Sequence, residues 1–164
     1  MDYLIVDGYN IINAWKDIFD HTNPLEDNRK ILCDVLSDYQ GYTGYNIVVI
    51  FDAHLVPEGK GSIISHDGIV CLFTKENQTA DTLIERYVAN YGFSNKITVV
   101  TNDYLEQKTV FQKGALRMTA RELKASIFKA RQSLEGITKD TNFIMDHLTK
   151  EEKRKLLRIK NQNE

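Results

Sequence analysis

Residues and patterns that are typical of several classes of protein are scarce in this sequence. It contains two cysteines, two prolines and one tryptophan in 164 residues. Cys33 and Cys71 lie far apart within apolar patterns, without the spacing of a metal site, and indicate buried free thiols. No apolar stretch approaches the roughly 18 residues that a membrane-spanning helix needs. These shortages exclude a disulfide scaffold, a cysteine-ligated metal site and an integral membrane protein.

The remaining composition is ordinary. Hydrophobic residues make up 42% of the chain and charged residues 27%, and the length suits one globular domain with a buried core. The N-terminus enters a strand-like pattern directly, without a basic region or a small-residue cleavage site. We therefore expect no secretory signal and a cytoplasmic protein.

The charged residues are distributed unevenly. Residues 1–112 carry 8 Lys and Arg against 16 Asp and Glu, whereas residues 113–164 carry 13 against 7. An acidic body with a basic C-terminal third indicates a polyanionic partner that binds mainly to that third. The alternative is a solvated helix face of mixed charge.

Apolar runs alternate with helical periodicity along the chain. The pattern predicts strands over residues 3–7, 46–52, 69–74, 97–101 and 116–118. It predicts a helix that follows the turn at Gly8 and runs through Ile11, Ile12 and Trp15, further helices over 26–39, 79–91 and 103–111, and one from a capping box at Thr119–Glu122 toward Leu134. Residues 41–44 are predicted to form a turn, 55–67 a loop or irregular hairpin, and 148–160 a charged helix. The alternation predicts an α/β fold with a mostly parallel sheet.

Four acids are placed at the ends of these elements. Asp7, Asp52 and Asp103 each follow a strand-like run, and Asp81 opens a helical pattern. The carboxyl ends of parallel strands form one rim, so these acids should converge. Nearby carboxylates repel unless a cation holds them, and oxygen-only ligands favour Mg²⁺ or Mn²⁺. The sequence therefore predicts a divalent-metal site with these four acids as ligands.

Each acid also has a simpler interpretation. Asp7, Asp52 and Asp103 could cap the turns or helices that follow them, and Asp81 could complement a helix dipole. Glu85 shares the face of Asp81 and could be a further ligand or could pair with a nearby cation. Four acids at one rim make a shared ion the stronger interpretation.

A divalent ion in such a pocket would allow a phosphodiester to approach and would activate a water molecule. Basic residues near the start of the C-terminal third could then bind the phosphates of the substrate backbone. These residues are Lys113, Arg117, Arg121 and Lys124. This pattern favours nuclease chemistry. A phosphoacceptor domain would need an acid beside Asp7, where Gly8 stands, and a dinucleotide site would need a G-x-G-x-x-G motif after the first strand.

Six blocks of the sequence resemble the YacP-like NYN domains, relatives of the PIN-domain nucleases. They are residues 4–10, 39–44, 49–55, 73–81, 101–107 and 114–123, which include Leu4-Ile-Val-Asp-Gly-Tyr-Asn10 and Thr101-Asn-Asp-Tyr-Leu-Glu-Gln107. The resemblance implies a PIN-like three-layer sandwich with a C-terminal helical extension. It also implies metal-dependent endoribonuclease activity on single-stranded mRNA, in association with the ribosome.

The resemblance further implies that Asp7, Asp81 and Asp103 are the central acids. Asn10, Asp52 and Thr101 fall in the matching blocks as supporting residues, and Tyr9 beside the first acid could stack on an RNA base. We expect a nuclease domain over residues 1–135 and a basic helical tail over 136–164. The alternative is a non-catalytic RNA- or ribosome-binding module that has the same fold.

Overall fold

The computed structural model describes the backbone of residues 1–52 and 60–147 and the side chains of residues 1–52 and 61–135. The chain divides into two compact units, residues 1–127 and 128–164. All the described strands lie in the first unit, and the described part of the second, residues 128–147, is helical. None of the described helices combines the length and the hydrophobicity needed to cross a bilayer.

The described strands form one sheet in the order β3-β4-β2-β1-β5-β6. Their bounds are β1 Asp2–Asp7, β2 Asn46–Phe51, β3 Lys60–His66, β4 Ile69–Lys75, β5 Lys96–Val100 and β6 Leu116–Met118. Strand β3 pairs with β4 in the antiparallel sense, and the other neighbouring strands are parallel. The expected mostly parallel α/β sheet is confirmed.

Five helices lie within the described residues, four of them between strands and the fifth after the last strand. Their bounds are α1 Gly8–Ala14, α2 Leu25–Thr43, α3 Ala80–Tyr91, α4 Tyr104–Gln112 and α5 Ala120–His147. From β1 the chain moves through β2 to β4 and then returns past β1 to β5. Because such crossovers are right-handed, the helices before and after this reversal cover opposite faces of the sheet. The carboxyl end of β1 lies at this reversal, which is the position where ligand sites of open α/β sheets are found.

The core is built around β1. Leu4, Ile5 and Val6 are fully buried, since the central strand is covered on both faces. Ile5 belongs to a buried cluster with Ile84 and Val88 of α3. The end of β1 is therefore held rigidly, which fixes the position of the residues that follow it.

Helix α2 is longer than predicted. It continues through Gly41 to Thr43 and ends at Gly44, which has a φ of 72° and donates its N–H to the Gln40 carbonyl at 2.8 Å. Left-handed backbone favours glycine, so Gly44 is the true stop. The expected turn over residues 41–44 was wrong because Gly41 lies in the last helical turn.

The predicted loop over residues 55–67 is also corrected where the structure describes it. Residues 60–66 form the regular strand β3, and Asp67 and Gly68, with φ of 44° and 89°, make a two-residue turn into β4. An Asp-Gly pair with positive φ at both positions is a strong hairpin signal. Residues 55–59 lie outside the described part of the chain.

Helix α5 begins with the predicted capping box but does not end at Leu134. The Thr119 Oγ1 accepts the N–H of Glu122 at 3.2 Å, and the Glu122 carboxylate accepts the N–H of Thr119 at 2.7 Å. The helix continues to His147. The domain boundary expected after residue 135 falls within it and stays a prediction, and the expected helix over 148–160 lies outside the described residues.

Candidate metal centre

Three acidic side chains meet at the carboxyl edge of the sheet. Asp7 ends β1, Asp81 lies in the first turn of α3 and Glu106 lies in the first turn of α4. One carboxylate oxygen from each lies within 4.8 Å of the other two. We call these three residues the acid cluster. The topology places them there because β1 lies at the reversal of the strand order and α3 leads back across it to β5.

Glu106 is the member that sequence reasoning missed. Its side chain is 3% exposed, and neither carboxylate oxygen has a well-formed hydrogen bond among the described residues. Burial, followed by the charges of Asp7 and Asp81, raises the pKa of Glu106 to about 8. A buried carboxylate without donors is unfavourable unless a cation or a proton compensates it.

Asp7 carries a second buried carboxylate. Burial raises its pKa to about 6, and the charges of Asp81, Asp52 and Asp103 contribute in the same direction. The Asn10 N–H donates to Oδ1 at 3.4 Å, which opposes the shift. Asp7 is thus the N-cap of α1 as well as a member of the acid cluster.

Asp81 is not the cap of its helix. Thr79 takes that role, since its Oγ1 accepts the Thr82 N–H at 3.2 Å. Burial and then the charge of Asp103 raise the pKa of Asp81. Its carboxylate lies with those of the other acid-cluster residues, although it is partly exposed.

Asp52 and Asp103 lie at the same edge but outside the acid cluster. Asp103 caps α4, because its Oδ1 accepts the N–H groups of Leu105 at 2.8 Å and of Glu106 at 3.2 Å. Asp52 accepts the N–H of Ala80 at 3.4 Å, at the start of α3. Both charges reach the acid cluster and raise pKa values there. The structure thus makes Asp103 the cap of α4 and Asp52 an acceptor at the start of α3, both beside the cluster.

The predicted supporting residues hold the turn between β5 and α4. The Asn10 Oδ1 accepts the N–H of Asn102 at 2.8 Å, and the Thr101 Oγ1 accepts the N–H of Asp103 at 3.1 Å. Gln107 donates through Nε2 to the Thr101 carbonyl at 2.6 Å. Asn10 and Thr101 therefore fix the segment that carries both Asp103 and Glu106.

Gly8 is required beside the first acid. A Cβ on Gly8 would lie 2.3 Å from the Phe51 Cε1, closer than real Cβ contacts allow. The first turn after β1 therefore has no room for a second acid next to Asp7. The structure agrees with the sequence-based rejection of a phosphoacceptor pair.

The predicted RNA-binding residues have different surroundings. Lys113 Nζ pairs with Glu85 at 3.1 Å, Lys124 pairs with Asp17, and the Arg117 guanidinium donates to Gln107 at 3.3 Å. Arg121 is exposed in the first turn of α5. Glu85, offered as a further ligand or an ion-pair partner, thus takes the second role.

Tyr9 lies inside the fold. Its side chain is 8% exposed, its ring packs edge-on against Phe51 at 5.2 Å between centroids, and its hydroxyl accepts a hydrogen bond from Arg29 at 2.9 Å. A buried ring cannot stack on an RNA base in this conformation. Tyr9 instead supports the turn that follows Asp7.

The donor set fits a divalent cation. Three carboxylates, of which one is buried without a well-formed hydrogen bond among the described residues, provide the hard oxygen ligands that Mg²⁺ and Mn²⁺ prefer. A parallel α/β sheet with such acids at its strand ends defines a nuclease-like domain.

Comparison with known proteins identifies the family. The family model described as "YacP-like NYN domain" matches residues 4–161. The chain belongs to this family, so the resemblance inferred from the sequence blocks is confirmed. The protein YacP of Bacillus subtilis (strain 168) is 42% identical over 137 residues, which cover 82% of this chain and 80% of that protein.

Solved structures agree with this assignment. The crystal structure of Rae1 (YacP) from Bacillus subtilis matches with a TM-score of 0.72 and 36% identity, covering 99% of this chain and 94% of that one. The crystal structure of a point mutant of the same Bacillus subtilis protein matches with a TM-score of 0.73 and 35% identity, covering 93% of this chain and 89% of that one. The expected PIN-like fold is confirmed by these matches.

Proposed function

We propose that this protein is a metal-dependent endoribonuclease that hydrolyses phosphodiester bonds of single-stranded mRNA, in association with the ribosome. The observation that carries the proposal is the acid cluster, in which the buried Glu106 carboxylate has no well-formed hydrogen bond among the described residues and lies with Asp7 and Asp81. Membership of a nuclease-like family supports the same chemistry.

Asp7, Asp81 and Glu106 would hold the cation, with Asp52 and Asp103 beside them. When bound, Mg²⁺ or Mn²⁺ supplies charge neutralisation for the phosphodiester and lowers the pKa of a coordinated water. Without a cation, the Glu106 carboxyl holds its proton near neutral pH because its pKa is about 8. Glu106 must release that proton to act as a ligand, so cation binding and proton release are linked.

The remaining residues of the site position the acids. Asn10 and Thr101 fix the turn before α4 through their bonds to the N–H groups of Asn102 and Asp103. Asp52 is hydrogen-bonded to the start of α3. Rigid supports of this kind keep the ligands in place without reorganisation when substrate arrives.

Basic residues near the site support the proposal that the substrate is RNA. Strand β6 is parallel to β5 and ends at the same edge as the acid cluster, with Val100 paired to Met118. Arg117 precedes that end and Arg121 follows it in α5, and both side chains are exposed. Exposed guanidinium groups beside the acid cluster can bind phosphates on either side of the scissile bond.

The proposal is tested by cleavage of a labelled, largely single-stranded mRNA fragment with Mg²⁺, with Mn²⁺ and with a chelator. We expect metal-dependent internal cuts that are lost in Asp7→Asn and Asp81→Asn. Asp2→Asn is the matched control, because Asp2 is an exposed acid at the other end of the same strand. The reaction is repeated with translating ribosomes, where we expect faster cleavage.

The outcomes separate the two functions that the family could have. Metal-dependent cleavage that the site variants abolish and Asp2→Asn retains would support the nuclease. Normal RNA or ribosome binding by wild type and variants, without cleavage in either setting, would overturn it in favour of a binding module.

A further inference from the structure

The two cysteines of the chain are in contact, although 38 positions separate them. The Sγ atoms of Cys33 in α2 and Cys71 in β4 lie 3.2 Å apart, and each residue is 4% exposed. The sequence contains two cysteines in total. Every thiol of the protein is therefore part of this one pair.

The pair borders a cleft that a small molecule can enter. The cleft has a volume of about 350 Å³ and is also lined by Arg29, His66 and Phe73. The thiols are thus shielded from large reagents but lie next to open space. The lining carries charge of both signs, since Arg29 and Lys30 lie there together with Glu26 and Asp27.

The two thiols are chemically unequal. The hydrogen bond between the two thiols lowers the pKa of Cys71, and the nearby His66 contributes in the same direction. The same bond and burial raise the pKa of Cys33. Because the thiolate is the reactive form, Cys71 is the better nucleophile and Cys33 the proton donor.

We propose that Cys33 and Cys71 form an oxidation site for a hydroperoxide, which converts the two thiols into a reversible disulfide between α2 and β4. In the first step, the Cys71 sulfur attacks the terminal peroxide oxygen and the O–O bond breaks. This yields a Cys71 sulfenic acid and an alcohol, or water when the oxidant is hydrogen peroxide.

In the second step, the Cys33 sulfur attacks the Cys71 sulfur and the S–O bond breaks. The hydroxide leaves as water with the Cys33 proton. The sum is two thiols and one hydroperoxide giving one disulfide, one alcohol and one water. The sulfur atoms need to approach by only about 1 Å to reach bonding distance.

The surrounding packing favours this bond. Cys33 lies one helical turn after Arg29, and Cys71 lies on the same face of β4 as Phe73, two residues away. The Arg29 guanidinium already stacks over the Phe73 ring at 5.5 Å from its centroid. The disulfide would therefore cross-link two elements that are already held together beside it.

The test is oxidation of the native, full-length protein with hydrogen peroxide, after removal of reductant. Acid quenching, alkylation in denaturant and intact-mass measurement follow. We expect a monomer that has lost two hydrogen atoms, takes up no alkylating reagent and regains both thiols with dithiothreitol. Its melting temperature should rise by several degrees relative to the reduced protein.

Single variants test the roles of the two thiols. Cys33→Ser should retain Cys71 as a sulfenic acid that dimedone traps, and Cys71→Ser should react more slowly. The proposal is overturned if both native thiols stay alkylatable under peroxide that oxidises the denatured chain. It is equally overturned if the product is a linked dimer, or if oxygen is added without loss of hydrogen.

Discussion

Two groups of side chains in the described residues bring three potential ligand atoms within 4.8 Å of one another. One is the acid cluster at the carboxyl edge of the sheet. The other lies beside the β3–β4 turn and consists of Asp34, His66 and Asp67; we call it the hairpin cluster. Distance alone makes the two equivalent, but their surroundings do not.

In the hairpin cluster, charge is already compensated. Asp34 Oδ1 lies 2.6 Å from His66 Nε2, and Asp34 Oδ2 lies 3.0 Å from Lys30 Nζ. His66 and then Lys30 lower the pKa of Asp34. In the acid cluster, burial and mutual repulsion raise the pKa values instead. Burial of carboxylates whose charge is not compensated, more than their proximity, therefore marks a candidate metal centre.

The largest expected effect separates the two clusters directly. Glu106→Gln should lower the affinity for Mn²⁺ by at least about 100-fold, because it removes a charged ligand and keeps its shape. Asp34→Asn should leave that affinity unchanged. Isothermal titration with Mn²⁺ measures both, and equal losses in the two variants would show that the clusters do not differ.

The pH dependence of stability should also distinguish them. The pKa of Asp7 is raised from 3.8 to about 6 and that of Glu106 from 4.5 to about 8. The folded state therefore retains protons that the unfolded chain releases, and the stability of metal-free protein falls as pH rises from about 4 to about 8. For the buried Glu106 the loss is on the order of a few kcal/mol.

Urea denaturation of the metal-free protein across this pH range measures the effect. Glu106→Gln should flatten the profile, and Mn²⁺ should restore stability near pH 8 in the wild type. Asp34 has the opposite sign, since its lowered pKa gives stability that is lost as pH falls. A wild-type profile that rises toward pH 8 without metal would contradict the interpretation of the acid cluster.

A smaller effect is expected when a side-chain hydrogen bond that holds the turn beside each cluster is removed. Asn10→Ala removes the acceptor for the Asn102 N–H and should lower the free energy of unfolding by about 1 kcal/mol. Cleavage should fall by about tenfold because the turn before α4 loosens. Gln40→Ala is the control, since Gln40 lies away from the acid cluster, donates to the Gly68 carbonyl at 2.9 Å in the hairpin turn and accepts the Ile47 N–H at 2.9 Å.

Chemical denaturation and RNA cleavage are measured on both variants. We expect a loss of stability in both variants, at least as large in Gln40→Ala, with cleavage reduced only in Asn10→Ala. Cleavage reduced equally by Gln40→Ala would mean that general loosening of the fold explains the result.

The smallest effect should come from the exposed ion pair of the hairpin cluster. Lys30→Met removes the i,i+4 partner of Asp34 and should change the free energy of unfolding by at most about 0.5 kcal/mol. Urea denaturation at low salt provides the measurement. A loss well above 1 kcal/mol would show that this exposed pair is stronger than its surroundings indicate.

The order of the elements could be predicted because the strands of a parallel sheet are continuous apolar runs. Residues 46–51 and 96–100 are buried almost throughout, so their hydrophobicity was unambiguous. The Asp67-Gly68 pair also has the sequence of a hairpin turn, but the pattern of the preceding residues predicts a loop or irregular hairpin. Periodicity failed there because β3 is an edge strand with exposed Ile63 and Ile64.

The site was predicted only in part, for a local reason. Asp7 and Asp81 were found from their positions at element ends. Glu106 was overlooked because Asp103-x-x-Glu106 has the spacing of a helix capping box, in which the glutamate would face its own N-cap. The side chain instead faces the other acids, and no local pattern distinguishes these two orientations.

Contacts between distant segments could not be predicted. Cys33 and Cys71 were correctly expected to be buried free thiols, but their contact depends on how α2 packs on β4. The burial of Tyr9 likewise follows from Phe51 and Arg29, which lie elsewhere in the sequence. Spacing along the chain carries no information on such pairs.

The hydrogen bonds around Asn102 join segments of the chain that are synthesised at different times. Its N–H donates to Asn10, its side chain accepts the N–H of Ala120, and the Ala120 carbonyl accepts the indole N–H of Trp15. A nascent chain that ends before residue 120 already contains Asp7, Asp81, Asp103 and Glu106 but lacks the two hydrogen bonds of Ala120. The turn that carries Asp103 is therefore joined to Trp15 through α5 only after the start of that helix has been synthesised.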